Sequence, residues 1–112
     1  MKYTGIVQKG KGYGAKLGFP TANIPCESPI IPGVYAARVE VEGGMHDAAV
    51  YADTKHALIE AHLLDFAGDL YDKSITIELL KKMRDDKVFA DENEARDYIA
   101  KDVETVKEYF RV

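Results

Sequence analysis

The chain of 112 residues has little cysteine, no basic segment and no long apolar run. Its single cysteine, Cys26, excludes an internal disulfide and is typical of a reducing compartment. No run approaches the roughly 18 apolar residues of a membrane span, and residues 1–5 lack an apolar signal region. The formal charge of −4 argues against nucleic acid as the main partner. We therefore expect a cytoplasmic protein that binds neither nucleic acid nor a membrane.

Repeats, low-complexity tracts and linkers are also missing from the sequence. The length therefore predicts a single domain over residues 1–112, and the apolar content of 46% is ordinary for a domain with one core. An acidic helix near the C-terminus and the lack of an obvious exposed apolar stripe favour a monomer.

Alternating apolar and polar residues predict a mainly β domain. The clearest strand covers residues 34–42, and Gly43 and Gly44 predict a hairpin turn into a strand over 45–51. Further strands are expected over residues 3–8, 58–66 and 73–81, with an extended segment over 20–23. Short turns join most of these strands, which favours an antiparallel sheet closed into a barrel.

After Phe89 the apolar period becomes that of a helix. Asp91 predicts the N-cap, and Glu94 stands where a capping box needs it. An apolar stripe at helical spacing follows, formed by Ala95, Ile99, Val103, Val106 and Phe110. Asp102 lies beside this stripe, and we interpret it as a carboxylate in water or bonded to a nearby loop. The helix is expected to pack across the barrel.

Residues 10–23, GKGYGAKLGFPTAN, form the most suggestive segment. The glycines allow tight turns and leave main-chain N–H groups open to a ligand. Pro20 stiffens the exit, and in an extended segment Thr21 and Asn23 project to the same side. A hydroxyl and an amide beside such a rim suit a phosphate and its metal. For the loop alone, a glycine-rich surface loop without a ligand is an equally good interpretation.

Two known phosphate motifs are excluded in this segment. A P-loop match that begins at Gly5 has Gly12 where Ser or Thr should bind magnesium. A dinucleotide fingerprint that begins at Gly10 requires a helix directly afterwards, which Gly18 and Pro20 prevent.

Glu60 and His62 lie on an otherwise apolar face of the strand predicted over 58–66. A charge there costs free energy unless it is paired or lies at a wet barrel mouth. Such a carboxylate suits a general base, and a strand-end carboxylate in solvent is the open alternative. His62 is better interpreted as structural, and the sequence contains no metal cage of Cys and His residues.

Four segments, together with the closing helix, carry a resemblance to a known family. They are LGFPTAN at 17–23, PGVYAARV at 32–39, IEAHLLDFAGDLY at 59–71 and MRDDKVF at 83–89. Through them the chain resembles the riboflavin kinase (flavokinase) family over nearly its whole length. The resemblance implies a six-stranded antiparallel Greek-key barrel with a C-terminal α-helix. It also implies transfer of the ATP γ-phosphate to the ribityl 5′-hydroxyl of riboflavin, giving FMN.

The resemblance also implies roles for matching residues. Thr21 and Asn23 match the pair that binds Mg²⁺ and the nucleotide phosphates, and Glu60 matches the catalytic base. The loop that closes on the flavin ring corresponds to Met83, Arg84 and Phe89. The flap over the nucleotide corresponds to Gly10, Gly12, Gly14 and Gly18. Family members often have Arg where this chain has Ala15, and Lys16 or Lys11 would supply that charge.

The chain departs from the family between the third barrel strand and the strand that carries Glu60. Many bacterial relatives have a Gly-x-x-Pro-Thr-Phe segment there, whereas residues 51–57 are shorter and contain neither Pro nor Phe. A second hypothesis is therefore a flavin- or nucleotide-binding barrel without efficient turnover, and a third is a structural barrel that acts through protein partners. FAD synthesis is not expected, since 112 residues leave no room for the adenylyltransferase domain fused to many bacterial relatives. For a kinase, Glu60 must converge with Thr21 and Asn23 on one cleft, expected at the mouth of the barrel.

Overall fold

The alternation in the sequence produces a barrel of six strands within residues 1–8, 21–66 and 70–111, which are those the computed structural model describes. The strands are β1 (Lys2–Ile6), β2 (Ala22–Pro25), β3 (Gly33–Val41), β4 (Gly44–Asp53), β5 (Leu58–Leu63) and β6 (Ser74–Asp85), and a C-terminal helix, α1 (Glu92–Phe110), follows them. Two strand ends differ from expectation by more than two residues. Strand β5 ends at Leu63 because the chain turns at Leu64 and Asp65, and β6 continues to Asp85 because it pairs with the whole of β3.

All neighbouring strands are antiparallel, in the order β1-β6-β3-β4-β5-β2. Strands β3, β4 and β5 form a meander, with β6 returning beside β3 and β2 lying beside β5. This is a Greek-key arrangement. The two edges meet where the N–H of Gln8 donates to the carbonyl of Asn23 at 2.8 Å, so that the barrel is nearly closed. The six-stranded antiparallel Greek-key barrel with a C-terminal helix is confirmed.

The main core fills the inside of the barrel. Apolar side chains at alternate strand positions point inward and are almost fully buried, among them Ile24, Val39, Val50, Ile59 and Ile77. The residues between them point outward, because side chains on a strand alternate between its two faces.

Helix α1 packs on the outer face of the barrel. Val106 is fully buried against Ala36 of β3 and Ala49 of β4, whose small side chains let the helix approach closely. The helix starts where expected, since the Asp91 side chain accepts a hydrogen bond from the N–H of Glu94 at 2.9 Å. Among the described residues, no helix is long and apolar enough to span a membrane.

Candidate active site

One row of residues crosses five strands of the barrel. Asn23 on β2 is in register with Glu60 on β5, which in turn is in register with Tyr51 on β4. The row continues from Tyr51 to Val34 on β3 and from Val34 to Arg84 on β6. Residues in register across a sheet point to the same face. The row therefore brings polar side chains from distant parts of the chain to one surface.

That surface is the outside of the barrel wall. On β5, Ile59, Ala61 and Leu63 are buried in the core, so the intervening Glu60 and His62 point outward. The cleft expected at the barrel mouth thus lies on the wall instead, because the inward face of β5 is already occupied by core side chains.

A cavity of about 270 Å³ lies on this outer surface. It is enclosed by the wall, by helix α1 and by residues 86–90, which form the connection between β6 and α1. Thr21, Tyr51 and Glu60 line it on the wall side. Phe89 lines it from the connection, and Ile99 lines it from the helix. Concave sites for small molecules are typically about 300–1,000 Å³ and largely apolar with a few polar groups, and the cavity approaches this range.

Thr21 and Asn23 bring two side-chain oxygens together beside this cavity. Asn23 is only 4% exposed, although it points away from the core that its neighbours Ala22 and Ile24 enter. The Thr21 hydroxyl donates to Asn23 Oδ1 at 3.5 Å. This separation is less than twice the ~2.1 Å between Mg²⁺ and its oxygen ligands, so both oxygens can reach one ion. Mg²⁺ commonly takes one or two protein oxygens together with substrate phosphates, and this pair fits that pattern.

Arg84 and Asp102, which both line the cavity, form a bidentate ion pair. Arg84 Nε donates to Asp102 Oδ1 at 2.7 Å, and a terminal nitrogen donates to Oδ2 at 2.8 Å. The hydrogen bond to Asp102 raises the pKa of Arg84. The Asp102 side chain is only 13% exposed. It is therefore bonded to strand β6, not to water or a nearby loop, because β6 extends far enough to bring Arg84 under the helix.

The three residues matched to flavin binding are placed differently. Arg84 and Phe89 line the cavity, and the Arg84 guanidinium carbon lies 5.7 Å from the centre of the Phe89 ring. Phe89 also packs against Tyr98 of α1, with ring centres 5.3 Å apart. Met83 instead packs in the cluster between helix and barrel with Val106. The structure thus brings Arg84 and Phe89 to the cavity, whereas Met83 is not part of its lining.

Tyr51 is a cavity residue to which the sequence assigns no role. Its hydroxyl donates to Asp86 Oδ1 at 2.9 Å. Burial, followed by this hydrogen bond and by the charges of Asp86, Asp53 and Glu60, raises the pKa of Tyr51. On β4 the side chain of Val50 faces the core, so the side chain of the next residue, Tyr51, points outward. Its proximity to Glu60, however, depends on the β4–β5 pairing, which no local pattern reveals.

Gly10, Gly12, Gly14, Lys16 and Gly18 lie outside the described residues. Their nucleotide-binding role stays a prediction.

A family model described as "Flavokinase: Riboflavin kinase" matches residues 1–110. Relatives include bifunctional riboflavin kinase/FMN adenylyltransferases from Buchnera aphidicola subsp. Schizaphis graminum, 34% identical, and Escherichia coli strain K12, 37% identical. These matches cover 97% and 96% of this chain, and 38% and 37% of the two relatives. The chain thus spans less than two fifths of the curated relatives it matches.

Among solved structures, a protein described as a macrolide-efflux protein from Streptococcus pneumoniae superimposes with a TM-score of 0.82. The superposition covers 95% of this chain and 38% of that one. At 24% identity this likeness shows a shared fold and nothing about activity. The family match over residues 1–110 and the identity to the two curated relatives agree with each other. The chain belongs to the riboflavin kinase family.

Proposed function

We propose that the protein is a riboflavin kinase, which transfers the γ-phosphate of ATP to the ribityl 5′-hydroxyl of riboflavin and releases FMN and ADP. The register pairing of Glu60 with Asn23, beside a cavity that Thr21 also lines, is the observation that carries the proposal. Phosphoryl transfer to a hydroxyl needs a group that orients the hydroxyl close to the groups that hold the phosphates. Glu60 and the oxygens of Thr21 and Asn23 meet that requirement.

Glu60 is the proposed base. The 5′-oxygen forms a bond to the γ-phosphorus while the bond from that phosphorus to the bridging oxygen of ADP breaks, and the hydroxyl proton passes to the Glu60 carboxylate. The transition state of such transfers is loose, with little bond formation to the attacking oxygen. Glu60 therefore orients the hydroxyl more than it activates it, and positioning supplies most of the gain in rate.

Thr21 and Asn23 would hold Mg²⁺ together with the phosphates of ATP. The 3.5 Å between their oxygens and the hard character of both ligands support this assignment. When bound, the ion would neutralise negative charge on the phosphate oxygens. Thr21 and Asn23 would thus form one part of the nucleotide site, and the proposed flap would contribute the rest.

The apolar part of the cavity supports a flavin site. Phe89, Val34, Ile99 and Val103 line it, and such aromatic and aliphatic surface suits a flat heterocycle. Arg84 would act indirectly, because Asp102 already occupies two of its donor positions. It would hold the connection after β6 in place, so that Phe89 faces the ring.

A second candidate is a barrel that binds flavin or nucleotide without efficient turnover. The short connection between β4 and β5 favours it, since the turn is closed within four residues by a 2.7 Å contact between Asp53 Oδ2 and His56 Nδ1. A wall shortened in this way offers less surface to the substrates. A pure carrier, however, has no need of a carboxylate at position 60, which favours the kinase.

Incubation with riboflavin, Mg²⁺ and ATP, followed by chromatographic detection of FMN, tests the proposal. Parallel reactions with CTP and GTP identify the donor, and reactions without nucleotide or with excess EDTA are the controls. Formation of FMN that depends on both nucleotide and metal is expected. Riboflavin binding without FMN from any donor would favour the carrier, and the absence of both would contradict both candidates.

We also propose that residues 1–112 fold as a single, monomeric domain in the cytoplasm. Light scattering coupled to gel filtration tests the monomer, and a mass of twice 12.5 kDa would contradict it.

A further inference from the structure

Tyr51 lies between the proposed base, Glu60, and the connection from β6 to α1, which covers the cavity. It is in register with Glu60 on one side and with Val34 on the other, and it lines the cavity itself. Its ring is therefore part of the wall, while its hydroxyl extends beyond the wall to the connection between β6 and α1.

That connection, residues 86–90, is attached to the wall at its first residue. Asp86 Oδ1 accepts from the Tyr51 hydroxyl at 2.9 Å and also from the N–H of Lys87 at 2.8 Å. One carboxylate oxygen thus joins the side chain of β4 to the backbone of the connection. Asp86 is exposed, so its side chain is held in place by these two hydrogen bonds and not by packing.

The far end of the connection is held by other contacts. Phe89 packs against Tyr98 of α1, and Asp91 caps the helix. Between these two attachments Val88 is 83% exposed, whereas the Lys87 ammonium reaches the helix, 4.7 Å from the centre of the Tyr98 ring and 3.8 Å from a Glu94 carboxylate oxygen. The position of Lys87 and Phe89 over the cavity therefore depends on the attachment to Tyr51 at one end and on the helix at the other.

The Tyr51 hydroxyl is suited to act as a permanent donor. Burial and the neighbouring carboxylates, chiefly Asp86, raise its pKa, so the phenol keeps its proton throughout the physiological range. A neutral donor bonded to a carboxylate makes a stronger bond than two neutral groups do.

We infer that Tyr51 is a positioning residue, which fixes residues 86–90 against the barrel wall. The connection therefore already covers the cavity beside Glu60 before a ligand enters. Tyr51 need not touch the reacting atoms in this role, because it acts through Asp86. The kinetic part of the inference rests on the proposed kinase function. The structural part, a tether in the ligand-free protein, does not depend on it.

Tyr51→Phe tests the tether, since it keeps the ring and removes only the hydroxyl. In the ligand-free protein we expect faster hydrogen exchange of the amides of residues 86–90, with the exchange of β5 unchanged. We also expect a KM for riboflavin raised about 3- to 10-fold, the range of one hydrogen bond, with kcat changed by less than about 2-fold. Asp86→Ala should match these effects, and the double variant should be no worse than either single variant.

Two further variants are the controls. Asp86→Asn retains an acceptor oxygen and should restore most of the affinity. Tyr35→Phe removes a tyrosine hydroxyl that donates to the carbonyl of Ile31 at 2.6 Å, away from the cavity lining, and should leave both exchange and KM unchanged. Thermal unfolding of each variant verifies that it is folded.

The outcomes separate the tether from the kinase. Unchanged exchange of residues 86–90 in Tyr51→Phe would overturn the inference, as would faster exchange with an unchanged KM, or a fall in kcat alone. If the wild-type protein forms no FMN, the kinase proposal fails. The riboflavin Kd, measured by quenching of flavin fluorescence, then replaces KM, and an unchanged Kd in Tyr51→Phe would overturn the inference.

Discussion

Asn23 and Glu60 lie directly opposite each other in the β2–β5 ladder, with both side chains on the outer face of the barrel. The two strands are separated along the chain by β3 and β4, and only the Greek-key return brings them together. The proposed base and a proposed ligand of metal and phosphate therefore share one surface. This proximity comes from strand pairing, which holds the two residues opposite each other.

Asn23 is the proposed nucleotide-side member of this pair. Asn23→Ala removes an oxygen ligand, and we expect the KM for the Mg²⁺–nucleotide complex to rise by about 10-fold or more. The KM for riboflavin should change far less. Steady-state kinetics at several Mg²⁺ concentrations measures both values.

Asn23 is buried, so the variant will also lose stability, by about 1–3 kcal/mol. Thr21→Val and Thr21→Ser provide a comparison at a less buried position, because only the serine keeps the hydroxyl. If both Thr21 variants bound the nucleotide equally well, the hydroxyl would have no part in the site.

The ion pair between Arg84 and Asp102 predicts a difference in stability. Asp102→Ala leaves a half-buried guanidinium without its main partner, and we expect the free energy of unfolding to fall by about 2–4 kcal/mol. Asp102→Asn should lose less, because it can still accept one of the two hydrogen bonds. Urea denaturation measures the loss, with Asp97→Ala on the exposed side of the same helix as control. Equal stability of Asp102→Ala and Asp97→Ala would show that the pair does not stabilise the fold.

Gly33 at the start of β3 is predicted to be intolerant of a side chain. Its φ is +150°, and a Cβ there would lie 2.5 Å from the carbonyl oxygen of Arg84. Gly33→Ala should therefore destabilise the protein by more than 1 kcal/mol, a rough lower bound for backbone strain combined with a clash, and should displace Arg84. Gly43→Ala is the matched control, since φ is also positive (+82°) but a Cβ would have nothing within 4 Å. If thermal unfolding showed equal losses of stability in Gly33→Ala and Gly43→Ala, the close approach of β3 to β6 would not restrict the side chain at position 33.

Tyr51 predicts a specific dependence of stability on alkaline pH. Burial and the bond to Asp86 raise the pKa of the folded-state phenol above its usual 10.0. The folded state therefore holds this proton more tightly than the unfolded state, so the contribution is fully present below about pH 10 and is lost as the pH rises towards the folded-state pKa. The difference in unfolding free energy between the wild type and Tyr51→Phe should shrink between about pH 10 and 11.5. A constant difference in urea denaturation across that range would contradict this linkage.

Local patterns in the sequence predict much of the fold. Alternation over residues 34–42 predicts β3, and the hydrogen bond between Asp91 and Glu94 follows from a capping pattern of four residues. The last part of β6 could not be predicted in this way. The register between β3 and β6 shifts near Val34 and again near Ala36, so the inward and outward positions of β6 do not keep a simple period of two.

Local sequence patterns predict less of the candidate site than of the fold. Glu60 is noticeable as a charge on an apolar face, but its position on the outside of the wall follows from the closure of the barrel around the opposite face of β5. The hydrogen bonds of Tyr51 with Asp86, and of Arg84 with Asp102, join residues 35 and 18 positions apart. Pairs this distant along the chain are specified by tertiary structure and leave no periodic signal.

The turnover of Glu60→Gln tests the proposed role of Glu60 most directly. The substitution keeps the shape of the side chain and removes the negative charge that orients the hydroxyl and accepts its proton, and Glu40→Gln on the exposed side of β3 is the matched control. We predict that Glu60→Gln lowers kcat for FMN formation by about 100-fold or more, with thermal stability and riboflavin affinity close to those of the wild type. A kcat equal to that of Glu40→Gln would remove Glu60 from the reaction and contradict the proposed mechanism.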